Sequence, residues 1–167
     1  MNPNWAEGKL EFDFSGAIQP VEKPDVAAQP LKSVDFIVQY PRELLLIEVK
    51  DPDGAPSPHP AGAIRDTIAK LQNDDLLKER LLPKLYGTFA YLVSAGSEPR
   101  GRVRYVTLIG LSSITAAERS MLTDKIQRIV DRIGPKIRHS RQWPVIEVHN
   151  VLSWNAKFPH MAITRRP

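Results

Sequence analysis

Asp35, Glu48 and Lys50 are the residues of this chain whose types and spacing could do chemistry. Asp35 lies in Ser33-Val-Asp-Phe-Ile-Val-Gln-Tyr40, and the other two in Leu44-Leu-Leu-Ile-Glu-Val-Lys-Asp51. Both segments are rich in β-branched, aromatic and aliphatic residues and read as strands. Strands of that composition are built to be buried, yet each carries acidic charge where a buried strand should have none. Carboxylates brought close together repel, and binding a cation is the usual way such a pair becomes favourable. The residue types therefore suggest a divalent metal ion with an ammonium group beside it.

The geometry follows from the turn. Pro41-Arg42-Glu43 separates the segments, so they are expected to form a hairpin. Pro41 holds φ near −65°, which bars it from the first central position of a primed turn but suits that position of a type I turn. A four-residue loop from Tyr40 to Glu43 pairs Gln39 with Leu44 and sets Asp35 directly opposite Glu48. Residues so opposed share a face, with Cβ atoms about 4.5–5.5 Å apart. Lys50, two residues after Glu48, points to that face as well. A three-residue loop would send Asp35 and Glu48 to opposite faces and dissolve the constellation.

The elements around the hairpin must position these groups. Leu10-Glu-Phe-Asp-Phe14 alternates apolar and acidic residues and suits a strand with one solvated face, although residues 1–32 are otherwise poorly patterned. Pro20, Pro24 and Pro30 discourage a long helix there. Residues 51–60 read as a turn-rich surface loop. From Ala61 to about Ala95 the period is helical, with Ile64, Ile68 and Leu71 on one face and Leu77, Leu81, Leu85, Phe89 and Leu92 on another. Pro83 interrupts the second run, which fits two helices or one kinked helix. Arg102 to Ile109 reads as a strand. Thr115-Ala-Ala-Glu118 is a capping-box pattern opening a helix that Gly134-Pro135 stops. Pro144 to His149 reads as a last strand before an irregular or short helical tail. The order strand, hairpin, helices, strand, helix, strand predicts an α/β sandwich with a mixed central β-sheet flanked by helices.

Composition narrows the class. With 167 residues the chain is expected to form one domain, and 42% hydrophobic content supports an ordinary core. It contains no cysteine, which rules out disulfides and thiolate metal sites. No apolar run reaches about 18 residues, and the first residues do not resemble a signal peptide, so a soluble cytoplasmic protein without membrane contact is expected. A formal charge of +4 and a pI of about 9.4 mildly favour an anionic partner such as nucleic acid.

Asp35 and Glu48-Val49-Lys50, in their apolar contexts Val34, Phe36-Ile37-Val38 and Leu44-Leu-Leu-Ile47, resemble the PD-(D/E)XK nuclease superfamily. Its signature is an acidic residue on one core strand and Glu-X-Lys or Asp-X-Lys on the next. The element order over 33–110, roughly half the chain, is similar too. The resemblance implies a restriction-endonuclease-like fold and metal-dependent hydrolysis of phosphodiester bonds, with DNA as the partner and a homodimer or a partner protein left open. Asp35 and Glu48 would hold Mg²⁺ or Mn²⁺ with the backbone carbonyl of Val49, and Lys50 would orient the attacking water and stabilise the transition state. Many members carry a further acidic residue on a helix before the hairpin. Here the Pro-rich stretch is a poor helix, and Asp25 is preferred over Glu22 and Glu7. Lys70, Gln72 and Lys84 are the options for a polar residue on the following helix, with none assigned by spacing.

Plainer readings stand beside these. Asp35 could be a solvated strand-edge charge, and Glu48 with Lys50 a same-face ion pair of little consequence. Asp51 and Asp53 read as turn chemistry. His59, His139, His149 and His160 show no metal-ligand spacing, and Trp5, Trp143 and Trp154 suit packing better than base stacking. Arg100, Arg102 and Arg104 could meet phosphates or simply guard a strand edge. Arg138, His139 and Arg141 form a second basic group, and Arg165-Arg166 reads as a frayed tail. The alternative function is a non-catalytic binding or interaction module that keeps the nuclease fold in a defence or repair system. A third possibility is an unrelated α/β domain with a coincidental motif.

Overall fold

The structure is a computed structural model that describes residues 5–18, 21–24, 32–54, 62, 65–66, 69–70, 77–97, 101–133 and 144–167. Its elements are β1 (Trp5–Glu7), β2 (Leu10–Phe12), β3 (Phe36–Gln39), β4 (Glu43–Lys50), α1 (Leu82–Ser94), β5 (Arg102–Ile109), α2 (Ala116–Ile133), β6 (Val145–His149), α3 (Val151–Lys157) and β7 (Ile163–Arg165). Gly62, Arg65–Asp66 and Ala69–Lys70 are helical as well.

The central sheet runs β3-β4-β5-β6. β3 and β4 are antiparallel, while β4–β5 and β5–β6 are parallel, so the sheet is mixed and open. Crossovers of that length let parallel strands pair, and the helices they contain cover the sheet. One face carries Val34, Ile37, Leu44, Leu46, Val103, Tyr105, Ile146 and Val148, packed under Leu81, Leu85 and Leu92 of the helical segment 77–94 and Leu122, Ile126 and Val130 of α2. The other face carries Phe36, Val38, Leu45, Ile47, Val106 and Leu108 against Phe12, Phe14, Trp154, Phe158 and Met161. Covered on both sides, β4 is buried without interruption from Leu44 to Val49. That is why it reads as a continuous apolar run in which one glutamate stands out.

Several local expectations hold. β5 spans Arg102–Ile109, and Thr115 with Glu118 forms the reciprocal cap of α2, with hydrogen bonds of 2.8, 2.7 and 3.2 Å. β2 forms within the alternating segment. Pro83 does not break the second helical run. It sits in the first turn of α1, directly after a wide π-type turn over Leu77–Leu81 that carries the helix past it, and the Glu79 carbonyl four residues back takes Lys32 Nζ at 3.4 Å instead.

A second sheet, β1-β2-β7, was not legible in the sequence. It corrects the reading of the C-terminal arginines as a frayed tail. Arg165 ends β7 and forks onto Asp51 at 2.6 and 3.2 Å, and it also donates to the Gly110 carbonyl at 2.7 Å. Arg166 pairs with Glu11. Asp51 is thus more than a turn residue: its side chain is 5% exposed. Gly54 and Gly110 admit the carboxylate, since an added Cβ would lie 1.9 and 2.3 Å from its oxygens.

The Pro-rich approach to the hairpin is not a helix where it is described. It lies along β3, with Ile18 donating to the Gln39 carbonyl and Glu22 exchanging two hydrogen bonds with Ile37. The segment just before β3 crosses α1 at Gly87, where a Cβ would stand 1.9 Å from the Lys32 carbonyl oxygen. Backbone cannot yield as a side-chain tip would. Gly87→Ala is therefore expected to cost about 1–3 kcal/mol by overpacking. Urea denaturation checks this, and an unchanged midpoint would contradict the close crossing.

Candidate functional site

The hairpin has the register that a four-residue loop requires. Gln39 pairs with Leu44 and Phe36 with Ile47. One residue further, the Asp35 N–H also donates to the Ile47 carbonyl, at 3.0 Å, so the regular pairing ends at Phe36–Ile47 and Asp35 stands at a bend just beyond the end of β3 rather than directly opposite Glu48. Asp35 and Glu48 meet on the helix-covered face, and Lys50 follows at the mouth of the site.

The contacts form a closed set. Asp35 Oδ2 accepts the Val49 N–H at 2.7 Å, and Asp35 Oδ1 accepts Lys84 Nζ at 3.0 Å. Glu48 Oε1 accepts Lys50 Nζ. Glu48 Oε2 lies 2.8 Å from Lys84 Nζ, an ion-pair contact outside hydrogen-bond alignment, so this buried oxygen has no hydrogen bond among the described residues. Lys50 Nζ also reaches the Val49 carbonyl at 3.2 Å. The Lys50 carbonyl is taken by the Gly110 N–H on the β5 side. By strand alternation, Val49 presents both its backbone groups to the β3 side, toward Asp35. Side-chain exposure rises from 0% at Glu48 through 15% at Asp35 and 16% at Lys84 to 24% at Lys50, which sets the way in from solvent.

Lys84 comes from the second half of the site, helix α1. Thr88, one turn on, accepts the Val34 N–H at 3.0 Å and donates to the Lys84 carbonyl at 2.7 Å, which ties the helix to the strand that carries Asp35. The sequence contained a signal for Lys84 over Lys70 and Gln72. It lies three residues after Leu81 and seven after Leu77, both buried, so it flanks the apolar stripe. Lys70 is exposed, and Gln72 lies outside the described residues.

Burial, and then the Asp35 charge, push the Glu48 carboxyl from its ordinary value of 4.5 up to about 7, although Lys50 and Lys84 pull the other way. Burial acts to lower Lys84, but Glu48 and Asp35 outweigh it and hold the ammonium above its usual range. Between pH 4.5 and 7 the folded chain therefore keeps a proton on Glu48 that the unfolded chain has lost. Stability should fall as pH rises through that window, by up to about 1.4 kcal/mol per pH unit from this group. Denaturation at several pH values tests the linkage. Glu48→Gln should flatten the slope, and equal slopes in parent and variant would refute it.

Other expected residues are engaged elsewhere. Asp25 lies outside the described residues. Glu22 accepts the Tyr91 hydroxyl at 2.9 Å, and Glu7 pairs with Lys23 at 2.6 Å. Arg104, weighed as a phosphate contact, pairs with Glu43 at 2.6 Å and with Glu147. Glu147 also takes His149 at 3.0 Å and Lys157 at 2.8 Å. Burial would raise Glu147, but the His149 and Lys157 hydrogen bonds and the Lys157 and Arg104 charges hold it at about 2. Trp154 is fully buried and donates to the Met161 carbonyl at 2.6 Å, Trp5 packs edge-on to Phe36, and His160 meets the Tyr40 ring. His59, His139, Trp143, Arg100, Arg138 and Arg141 lie outside the described residues.

Among the described residues no three His, Cys, Asp or Glu side chains gather closely enough to hold a metal ion. Asp35 and Glu48 nevertheless already share one cation, the Lys84 ammonium, so a single point lies within reach of an oxygen from each. With the Val49 backbone turned to the same side, the donors are all oxygen, which suits Mg²⁺ or Mn²⁺. Comparison with protein-family models, with curated proteins and with solved structures found no match. Among the described residues no helix is long and apolar enough to cross a membrane.

Proposed function

We propose that this chain is a metal-dependent nuclease with a restriction-endonuclease-like fold, cleaving phosphodiester bonds of DNA in the cytoplasm, alone or as a homodimer or with a partner protein. One observation carries the reading: Glu48 on β4 and Asp35, just before β3, converge on a single cation, with Lys50 two residues after Glu48 at the opening. Asp35, Glu48 and the Val49 carbonyl would hold Mg²⁺ or Mn²⁺, and Asp25 would complete the set. When bound, the ion supplies an acidified water and neutralises charge on the phosphate. An ammonium has three donors. Glu48 and Val49 engage two on Lys50, and among the described residues nothing takes the third, which would hold the attacking water or a phosphate oxygen.

The second reading, a non-catalytic interaction module, has its own support. When Glu48 is ionised, the charges of Asp35 and Glu48 are balanced by Lys50 and Lys84, so among the described residues the pair has its counter-ions without any added ion. Plasmid and oligonucleotide substrates with Mg²⁺ or Mn²⁺ separate the two. Cleavage by the parent that is lost in Glu48→Ala supports the nuclease. A gel shift without cleavage selects the module, and nicking by Glu48→Ala at the parent rate removes these residues from the chemistry.

A further inference from the structure

The balance of charges hides an asymmetry. Lys50 serves one oxygen of Glu48 and the Val49 carbonyl, whereas Lys84 is the one cation among the described residues that touches both carboxylates. The point where its ammonium sits is where any ion shared by Asp35 and Glu48 would have to sit. Two cations cannot occupy that point, and without one there the buried Glu48 Oε2, which Lys50 does not reach, would face no cation among the described residues, at a desolvation cost.

The lysine is built to fill this position and also to leave it. Its backbone is fixed by the Gly87 crossing and by the Thr88 bridge to Val34. Its charged end hangs on a flexible four-carbon stem at the lip of the site, 16% exposed. A short swing takes the ammonium into water, so leaving costs little once another cation has arrived.

We propose that Lys84 is a resident counter-ion of the acidic pair, occupying the divalent-metal position in the metal-free protein and giving it up when the metal enters. This rests on the metal-site reading of Asp35 and Glu48 and adds to it a built-in competitor. The lysine holds the metal-free site together and weakens divalent binding by the same interaction, because what stabilises the empty state must be lost on loading. The exchange also turns a site-filling cation into one standing at the entrance, next to Lys50.

Mn²⁺ titration calorimetry on the full chain tests the exchange without reference to activity. Lys84→Met keeps the length of the side chain and removes the charge. It should bind Mn²⁺ at least about fivefold more tightly than the parent, melt at lower temperature without Mn²⁺, and recover more of its melting temperature on adding it. Lys84→Gln, which keeps a polar end, should show the same tightening and serves if the methionine variant folds poorly. In the parent, chain labelled with ¹³C at lysine Cε should show the Lys84 resonance moving on Mg²⁺ addition. Equal or weaker Mn²⁺ binding in both variants, with clear binding in the parent, overturns the competitor and leaves the metal site standing. No Mn²⁺ binding by parent or variants removes the metal site, and the exchange with it.

Discussion

Under the proposed nuclease reading, Lys50→Ala is expected to slow DNA cleavage by about 10²–10³-fold, the loss typical when one preorganised donor to a developing negative charge is removed. Lys50 is anchored on Glu48 and on the Val49 carbonyl and sits at the exposed end of the set. Its position is therefore fixed in advance, and on that reading no reorganisation would be needed as charge builds on a phosphate. The loss should fall on kcat with KM little changed, because the donor matters most in the transition state. Circular dichroism should report an intact fold, since Lys84 still faces Glu48. Single-turnover cleavage at saturating Mn²⁺ measures the effect. A variant as fast as its parent would show that Lys50 is a structural ion-pair partner and nothing more.

Arg165→Ala should destabilise the fold by about 3 kcal/mol. That is the lower end of the range for breaking a buried ion pair, because Arg165 is itself 32% exposed. The cost comes from Asp51, whose carboxylate would remain buried among Gly54, Gly110 and the strand ends without its cation. The Gly110 carbonyl would lose a donor as well. For a chain of this length the melting temperature should drop by about 6–12 °C. Asp51 directly follows Lys50, so loosening this corner should also disorder the end of β4. Thermal melts of Arg165→Ala and Arg165→Lys decide the point. Lysine cannot fork onto both carboxylate oxygens and should recover only part of the loss. A melting temperature unchanged in both variants would mean that the tail is dispensable.

Much of the central sheet could be read from local chemistry. Pro41 restricted the turn, the turn set the register from Gln39–Leu44 to Phe36–Ile47, and the two-residue period of β4 then placed Glu48 and Lys50 on one side, with Asp35 adjoining the end of that ladder. Each step depends on backbone geometry within a few residues, which is what a sequence encodes most directly. The apolar runs of β4 and β5 and the Thr115–Glu118 cap are legible for the same reason.

The sequence by itself therefore determined which acidic residues come to the same end of the hairpin and which lysine follows Glu48. Only the tertiary structure decided what neutralises them. Lys84 stands 49 residues from Asp35, Arg165 stands 114 from Asp51, and β7 lies at the far end of the chain from β2. The segments joined by contacts of that span do not name their partners: the apolar stripe beside Lys84 marks a flank near the core, but not the carboxylates it meets, and Arg165 and Asp51, each taken alone, look like ordinary solvated charges. Burial of Glu48 between sheet and helix, and of Asp51 beneath β7, turns those charges into required partners.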